Sequence, residues 1–183
     1  MISVGEKKIH IKQGDITAET SDAIVNPANS QLMHGGGAAR AIAVKGGSVI
    51  NEQSRRLIER IGTVPVSKAV LTDAGELPCK FVIHTVGPVW GEGDEEGKLR
   101  RAVWNVLTLA DLYNLESISM PAISSGVFGF PKALCAQILL DTTVKFLQQP
   151  YVTLSDVVMC NFDRETVEVF LAAEHTLKKA KQH

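Results

Sequence analysis

Three short segments of the 183-residue chain carry residue types that could hold a ligand. The first is Gly14-Asp15-Ile16-Thr17. An aspartate is an acceptor-only carboxylate, suited to an exocyclic amine such as adenine presents at N6. A Gly-preceded aspartate also serves as an ordinary turn or helix-cap residue. The second segment is Asn26-Pro27-Ala28-Asn29 followed by His34-Gly35-Gly36-Gly37-Ala38-Ala39-Arg40. Three glycines let backbone N–H groups approach a ligand with no side chain in the way. A helix opening near Gly37 adds partial positive charge, which suits a pyrophosphate or a ribose. The alternative is a flexible Gly-rich loop. The third segment runs from Pro121 to Pro131, with Ser124-Ser125-Gly126-Val127-Phe128-Gly129 at its centre. Ser-Ser-Gly supplies successive N–H groups and hydroxyls, the makings of an anion-binding nest. Phe128 between two glycines could cover a sugar, although core packing is the commoner fate of a phenylalanine. Neither Gly-rich loop is a GxxxxGK[ST] or GxGxxG motif, and neither contains a lysine, so backbone dipoles would hold any phosphate.

The elements around these segments must place them together. Lys8–Lys12 alternates like a half-exposed edge strand. Ala23–Asn26, Ala69–Thr72, Phe81–Thr85, Ser117–Met120 and Val157–Cys160 are short apolar runs, as expected of strands covered on both faces. Helical periods separate them. Ile50, Ser54, Leu57, Ile58 and Ile61 share a face, as do Leu99, Val103, Val106, Leu107 and Ala110. Leu134, Ile138, Thr142 and Phe146 form a third set, and Val167, Phe170, Leu171 and Leu177 a fourth. Pro131 suits the first turn of the third of these helices. The alternation predicts an α/β fold, a three-layer α/β/α sandwich with a central mixed, mostly parallel sheet. Ligands of such sheets bind where loops leave the carboxyl ends of the strands.

Composition narrows the function classes. Formal net charge is -1 and 45% of residues are hydrophobic. No basic block suggests a nucleic-acid groove, and no apolar run is long enough to span a membrane. The N-terminus is charged where a signal peptide would be apolar. Cys79, Cys135 and Cys160 stand far apart, which predicts reduced thiols and no zinc. The expectation is a cytoplasmic or nuclear monomer formed as one domain over residues 1–183, with no cofactor and no metal.

Taken in order, the motifs resemble the macrodomain family. The matching segments are GDIT at 14–17, VNPAN at 25–29, HGGGAARAI at 34–42 and PAISSGVFGFP at 121–131. FVIHTVGP at 81–88 and CNFD at 160–163 are similar to that family's strands. The resemblance covers nearly the whole chain and implies an ADP-ribose ligand, free or on ADP-ribosylated proteins. It implies that Asp15 binds the adenine amine beside the Ile16 N–H, and that Phe162 packs on the adenine ring. Ser124, Ser125, Gly126, Val127, Phe128 and Gly129 would wrap the pyrophosphate. Gly35, Gly36, Gly37 and Ala38 would line the opposite side, with Asn29 and Phe128 at the distal ribose. His84 is expected to be a satisfied core histidine, His34 to fix the loop and Asn26 to tie loops together. Arg40 and Lys45 are expected to face solvent.

Members of that family either read ADP-ribose or hydrolyse mono-ADP-ribose from acidic side chains. MacroD-type hydrolases resemble this chain but carry an aspartate where it has Ala39. That departure places it nearer the HGGG-type domains of coronaviruses and ADP-ribosyltransferases. Turnover would then use a water held between the substrate phosphate and the glycine loop, with Asn29, Gly37 and Phe128 as the catalytic set. The near-neutral charge argues against tight binding of RNA or poly-ADP-ribose.

Overall fold

Short β-branched runs form the strands of the structure, a computed structural model that describes residues 1–182. They are β1 (Ile2–Val4), β2 (Lys7–Gln13), β3 (Ala23–Pro27), β4 (Ala69–Asp73), β5 (Phe81–Thr85), β6 (Ser117–Met120) and β7 (Asp156–Asn161). Among the described residues these make one sheet, ordered β1-β2-β7-β6-β3-β5-β4. The five inner strands are mutually parallel. Only β1 and β4, at the two edges, run antiparallel to their neighbours. The expected mixed, mostly parallel sheet is therefore present. Lys8–Lys12 differs from expectation, because Ile2–Val4 pairs outside it and takes the edge. A three-residue strand is too short to show a period, which is why β1 is not visible in the sequence.

The helices are α1 (Gly37–Gly46), α2 (Ser48–Ile61), α3 (Glu95–Leu112), α4 (Lys132–Leu147) and α5 (Arg164–Ala180). A 3-10 turn spans Ile16–Ala18. Alternate strand residues point to opposite faces. Ile24, Val82 and Cys160 pack with Ile42 and Ala43 of α1 and Ile50 of α2. Their neighbours Val25, Ile83 and Met159 pack with α3, α4 and Phe170 of α5. Two helices thus cover one face and three the other, which gives the three-layer α/β/α sandwich.

Most apolar positions expected to face inward are buried, including the whole α3 set, and Leu57, Ile58, Leu134 and Leu177 are half-buried. Two are exposed. Ile61 is the last residue of α2, where Gly62 turns the chain away, and it is exposed. Leu171 lies about 100° around α5 from buried Phe170 and faces out. Pro131 caps α4 rather than sitting in its first turn, and its carbonyl accepts from Cys135 N at 2.9 Å.

The end of α1 is set by a close backbone approach. Gly75 has φ +59°, and a Cβ there would lie 2.0 Å from the Gly46 carbonyl oxygen. Because that atom is backbone, α1 itself would have to move. We expect Gly75→Ala to lower stability by about 1–3 kcal/mol. Urea unfolding should show this as a lower midpoint with an unchanged slope.

Candidate functional site

Because β2, β3, β5, β6 and β7 run the same way, the loops at Gly14, Ala28, Val86, Pro121 and Phe162 all leave one edge of the sheet. Hydrogen bonds lock these loops to one another. The Asn161 side chain accepts from Ala122 N at 2.8 Å, while its carbonyl accepts from Gly14 N at 3.0 Å. Gln13 Nε2 donates to the Phe162 carbonyl at 3.2 Å. Trp90 N donates to the Phe128 carbonyl at 2.8 Å, joining the β5 and β6 loops. Neither Asn161 nor Trp90 carries a sequence signal of its own for this role. Asn161 is legible only as part of the segment at 160–163, and the role of Trp90 is carried by its backbone.

At the β2 end, Asp15 caps the 3-10 turn. Its Oδ1 accepts from Thr17 N at 2.9 Å and from Thr17 Oγ1 at 2.6 Å. The helix-cap reading is therefore correct, and it leaves Oδ2 open to another partner. The Thr17 hydroxyl and amide, helped by Lys45, hold the Asp15 carboxyl below the usual carboxylate range. Lys45 is exposed, as expected, and its ammonium also lies 3.5 Å from Asp15 Oδ2. The periodicity of α1 places Lys45 on an outer face but says nothing of Asp15 across the loop. Arg40 is exposed. Ile16 is buried in the cluster with Ile24 and Ile42, and its N–H heads the turn, where it has no intrahelical partner. Phe162 is 81% exposed, an aromatic face with little covering it.

At the β3 end, the glycine loop rests on a buried polar chain. Asn26 Nδ2 lies 2.9 Å from His84 Nδ1 and 3.2 Å from His34 Nδ1. His84 Nε2 lies 2.8 Å from Thr72 Oγ1, and His34 Nε2 lies 2.9 Å from Ser54 Oγ. An amide N–H donates, so both imidazoles accept at Nδ1 and donate from Nε2 to the two hydroxyls. The two rings stack with centroids 5.2 Å apart. His84, His34 and Asn26 thus do what the sequence suggested. Burial, with His34 beside it, pushes His84 down to about 3, and burial also lowers His34. Asn29 uses its amide to close a turn, bonding Met33 O at 2.8 Å and Met33 N at 2.9 Å. An amide has two donor hydrogens and two lone pairs, so one of each remains available.

Above this chain Gly35, Gly36 and Gly37 are exposed, and a Cβ on any of them would meet nothing within 4 Å. Gly36 is the N-cap of α1 and offers no side chain to its first turn. The first helical bond runs from Arg40 N to Gly36 O at 3.2 Å. The N–H groups of Gly37, Ala38 and Ala39 are therefore left without helical acceptors.

Across the β6 end, Ser124 takes φ +68° and Gly129 φ +73°, which curls the loop. Ser125 N bonds Ala122 O, Gly129 N bonds Gly126 O and Phe130 N bonds Ser124 O. Between those bonds, the N–H groups of Gly126, Val127 and Phe128 have no acceptor among the described residues. Val127 is fully exposed, Phe128 is half-buried and Gly126 opens onto free space. Ser124 is buried, and its hydroxyl has no partner among the described residues. Gly87 makes room for it: a Cβ there would lie 2.1 Å from Ser124 Oγ and 2.8 Å from Ile123 Cγ2.

The arrangement offers two sets of unengaged N–H groups, one carboxylate oxygen and two accessible aromatic rings. Its acid–base repertoire is thin. Gly35 to Ala39 carry no functional side chain, and the two histidines are committed to the buried chain. No group of three or more His, Cys, Asp or Glu suited to a metal occurs among the described residues. A cavity of about 550 Å³ lies elsewhere, between α4 and α5 beside Arg100.

The chain matches known proteins over most of its length. The Macro domain family model matches residues 25–139. A Thermotoga maritima protein is 52% identical over 90% of the chain, but the chain spans only 28% of its length. The O-acetyl-ADP-ribose deacetylase 1 of Pantoea vagans is 43% identical over 90% of the chain and 97% of its own length. The Oceanobacillus iheyensis macrodomain with MES bound superposes with TM-score 0.93 at 33% identity, covering 98% of this chain and 96% of the other. A mutant of that macrodomain carries ADPR, with TM-score 0.93 at 32% identity over 97% of both chains.

The buried histidines make stability depend on pH. An unfolded histidine takes up a proton near 6.5, whereas folded His84 does so only near 3. Stability is complete above pH 6.5 and falls as pH drops from there towards 3, because the unfolded state binds the proton that the folded state refuses. Urea midpoints measured across this range should fall steadily, and His84→Gln should flatten the slope. An unchanged slope in that variant would place the titration elsewhere.

Proposed function

The chain belongs to the Macro domain family, and we propose that it binds ADP-ribose, free or attached to protein, across the loops at the carboxyl ends of β2, β3, β6 and β7. The observation that carries this reading is the pair of unengaged N–H sets, at Gly37–Ala39 and at Gly126–Phe128, in the loops that follow the adjacent parallel strands β3 and β6, with Asp15 after β2. A pyrophosphate is acceptor-only and suits unengaged N–H groups at a helix N-terminus. Asp15 Oδ2 takes the adenine amine and Phe162 the ring face. Asn29 and Phe128 flank the distal ribose.

The same site suits hydrolysis of an ester on that ribose. Removal of mono-ADP-ribose from a carboxylate side chain and removal of an acetyl group from ADP-ribose share this chemistry. In each, one water is consumed, a carboxylic acid leaves and a ribose hydroxyl is regenerated. The Pantoea relative bears the name of the second reaction. With Ala39 in the first turn of α1 and both histidines engaged, the water is activated by the substrate's own phosphate, in a geometry set by Gly37, Asn29 and Phe128. The same lack of a titrating side chain favours a second reading, a module that recognises ADP-ribosylated proteins without turnover. Of the branches within the family, the site resembles the HGGG type.

Calorimetry with ADP-ribose tests binding. Asp15→Ala should weaken it by about 1–3 kcal/mol and erase preference for the adenosine over the inosine ligand. Gly126→Glu should abolish binding with the fold intact, since a Cβ at this position meets no protein atom within 4 Å. Release of ADP-ribose from a Glu-linked substrate, and of acetate from O-acetyl-ADP-ribose, decides between hydrolase and reader. A hydrolase loses more turnover than affinity in Asn29→Ala, whereas a reader releases nothing at stoichiometric protein.

A further inference from the structure

Asp15 has two carboxylate oxygens, and the fold engages them differently. Oδ1 takes both bonds from Thr17, which fixes the plane of the group. Oδ2 faces the Lys45 ammonium at 3.5 Å. Lys45 lies in the last turn of α1, where the helix dipole favours a cation. That helix packs against the 3-10 turn headed by Asp15. The two side chains remain 58% and 44% exposed, so both charged groups stay accessible to a ligand. An ion pair so exposed adds little to stability. It stands at the carboxylate oxygen that Thr17 leaves unengaged, the oxygen read above as the acceptor for the adenine amine.

Two donors accompany the Asp15 Oδ2 acceptor: the Ile16 N–H, from the next residue, and the Lys45 ammonium at 3.5 Å. A 6-aminopurine offers the complementary groups around its 6-position, with N1 accepting, the 6-amino group donating and N7 accepting. Cytosine has a ring acceptor on one side of its amine only, and guanine offers an acceptor at O6 where Asp15 needs a donor. We propose that Lys45 is a further base-reading residue, donating to N7 of the adenine whose amino group Asp15 holds. This rests on the ADP-ribose reading above and extends it from a single contact with the base to a three-point one.

Calorimetric titration with ADP-ribose and with its 7-deaza analogue, in which N7 becomes C–H, tests the proposal. The wild-type protein should bind the analogue about tenfold more weakly, the usual effect of losing one charge-assisted hydrogen bond. Lys45→Met should bind ADP-ribose about tenfold more weakly than wild type and no longer distinguish the two ligands. Lys45→Arg should restore the distinction. Equal wild-type affinity for both ligands, or discrimination that persists in Lys45→Met, overturns the role of Lys45 while leaving ADP-ribose binding intact. A wild-type protein that binds neither ligand overturns the ADP-ribose reading as well, so the two failures are told apart.

Discussion

Parallel strands must end on the same edge of their sheet, and this constraint organises the molecule. Five inner strands share one direction, so five loops meet at one edge although their residues lie as far apart in sequence as Asp15 and Phe162. Each loop leaves a strand whose backbone groups are paired, and each must then satisfy or expose its own N–H groups. At β6 and at the head of α1 the chain exposes them. These elements end in glycine-rich turns that cover no N–H group with a side chain. The unengaged donors make the edge receptive to an anion without any net positive charge on the protein.

Rigidity beneath the loops comes from buried polar contacts. The Thr72–His84–Asn26–His34–Ser54 chain ties β4, β5, β3, the glycine loop and α2 into one piece. Every ring nitrogen in it has a partner, which is why histidines can lie in so apolar a setting. Asn161 does the corresponding work on the other side, holding the β6 loop and the Gly14 turn. Gly87 lets the Ser124 turn settle against the β5 loop. Loops fixed in this way present their donors without having to order on binding, which lowers the cost of recognition.

Much of this was legible in the sequence, and the reasons are local. Strand runs such as Phe81–Thr85 and helical periods such as Leu99 to Ala110 declare their class by spacing alone. The Gly-rich turns declare their conformational freedom, but Ser125 spends its N–H and its hydroxyl on the Ala122 carbonyl, so the unengaged N–H groups fall later in the loop than Ser-Ser-Gly suggests, at Gly126 to Phe128. What escaped was tertiary. Ile2–Val4 is too short for a period, so the true edge strand went unseen. Lys45 reads as a surface lysine until α1 is laid against the 3-10 turn, and only then does Asp15 become its neighbour. Trp90 contributes a backbone N–H, which no side-chain motif can signal. Asp15 caps its turn through Oδ1, as its local sequence suggests, while Oδ2 meets Lys45, a contact that only the packed fold creates.

The central claim is that unengaged backbone N–H groups on the two glycine-rich loops bind the diphosphate of ADP-ribose. Amide chemical shifts of the ¹⁵N-labelled protein, followed during titration with ADP-ribose, test it most directly. The account predicts the largest shifts at Gly126, Val127 and Phe128 and at Gly37, Ala38 and Ala39. Shifts confined to the α4–α5 cavity around Leu140 and Ala173, with those six amides unmoved, would contradict it.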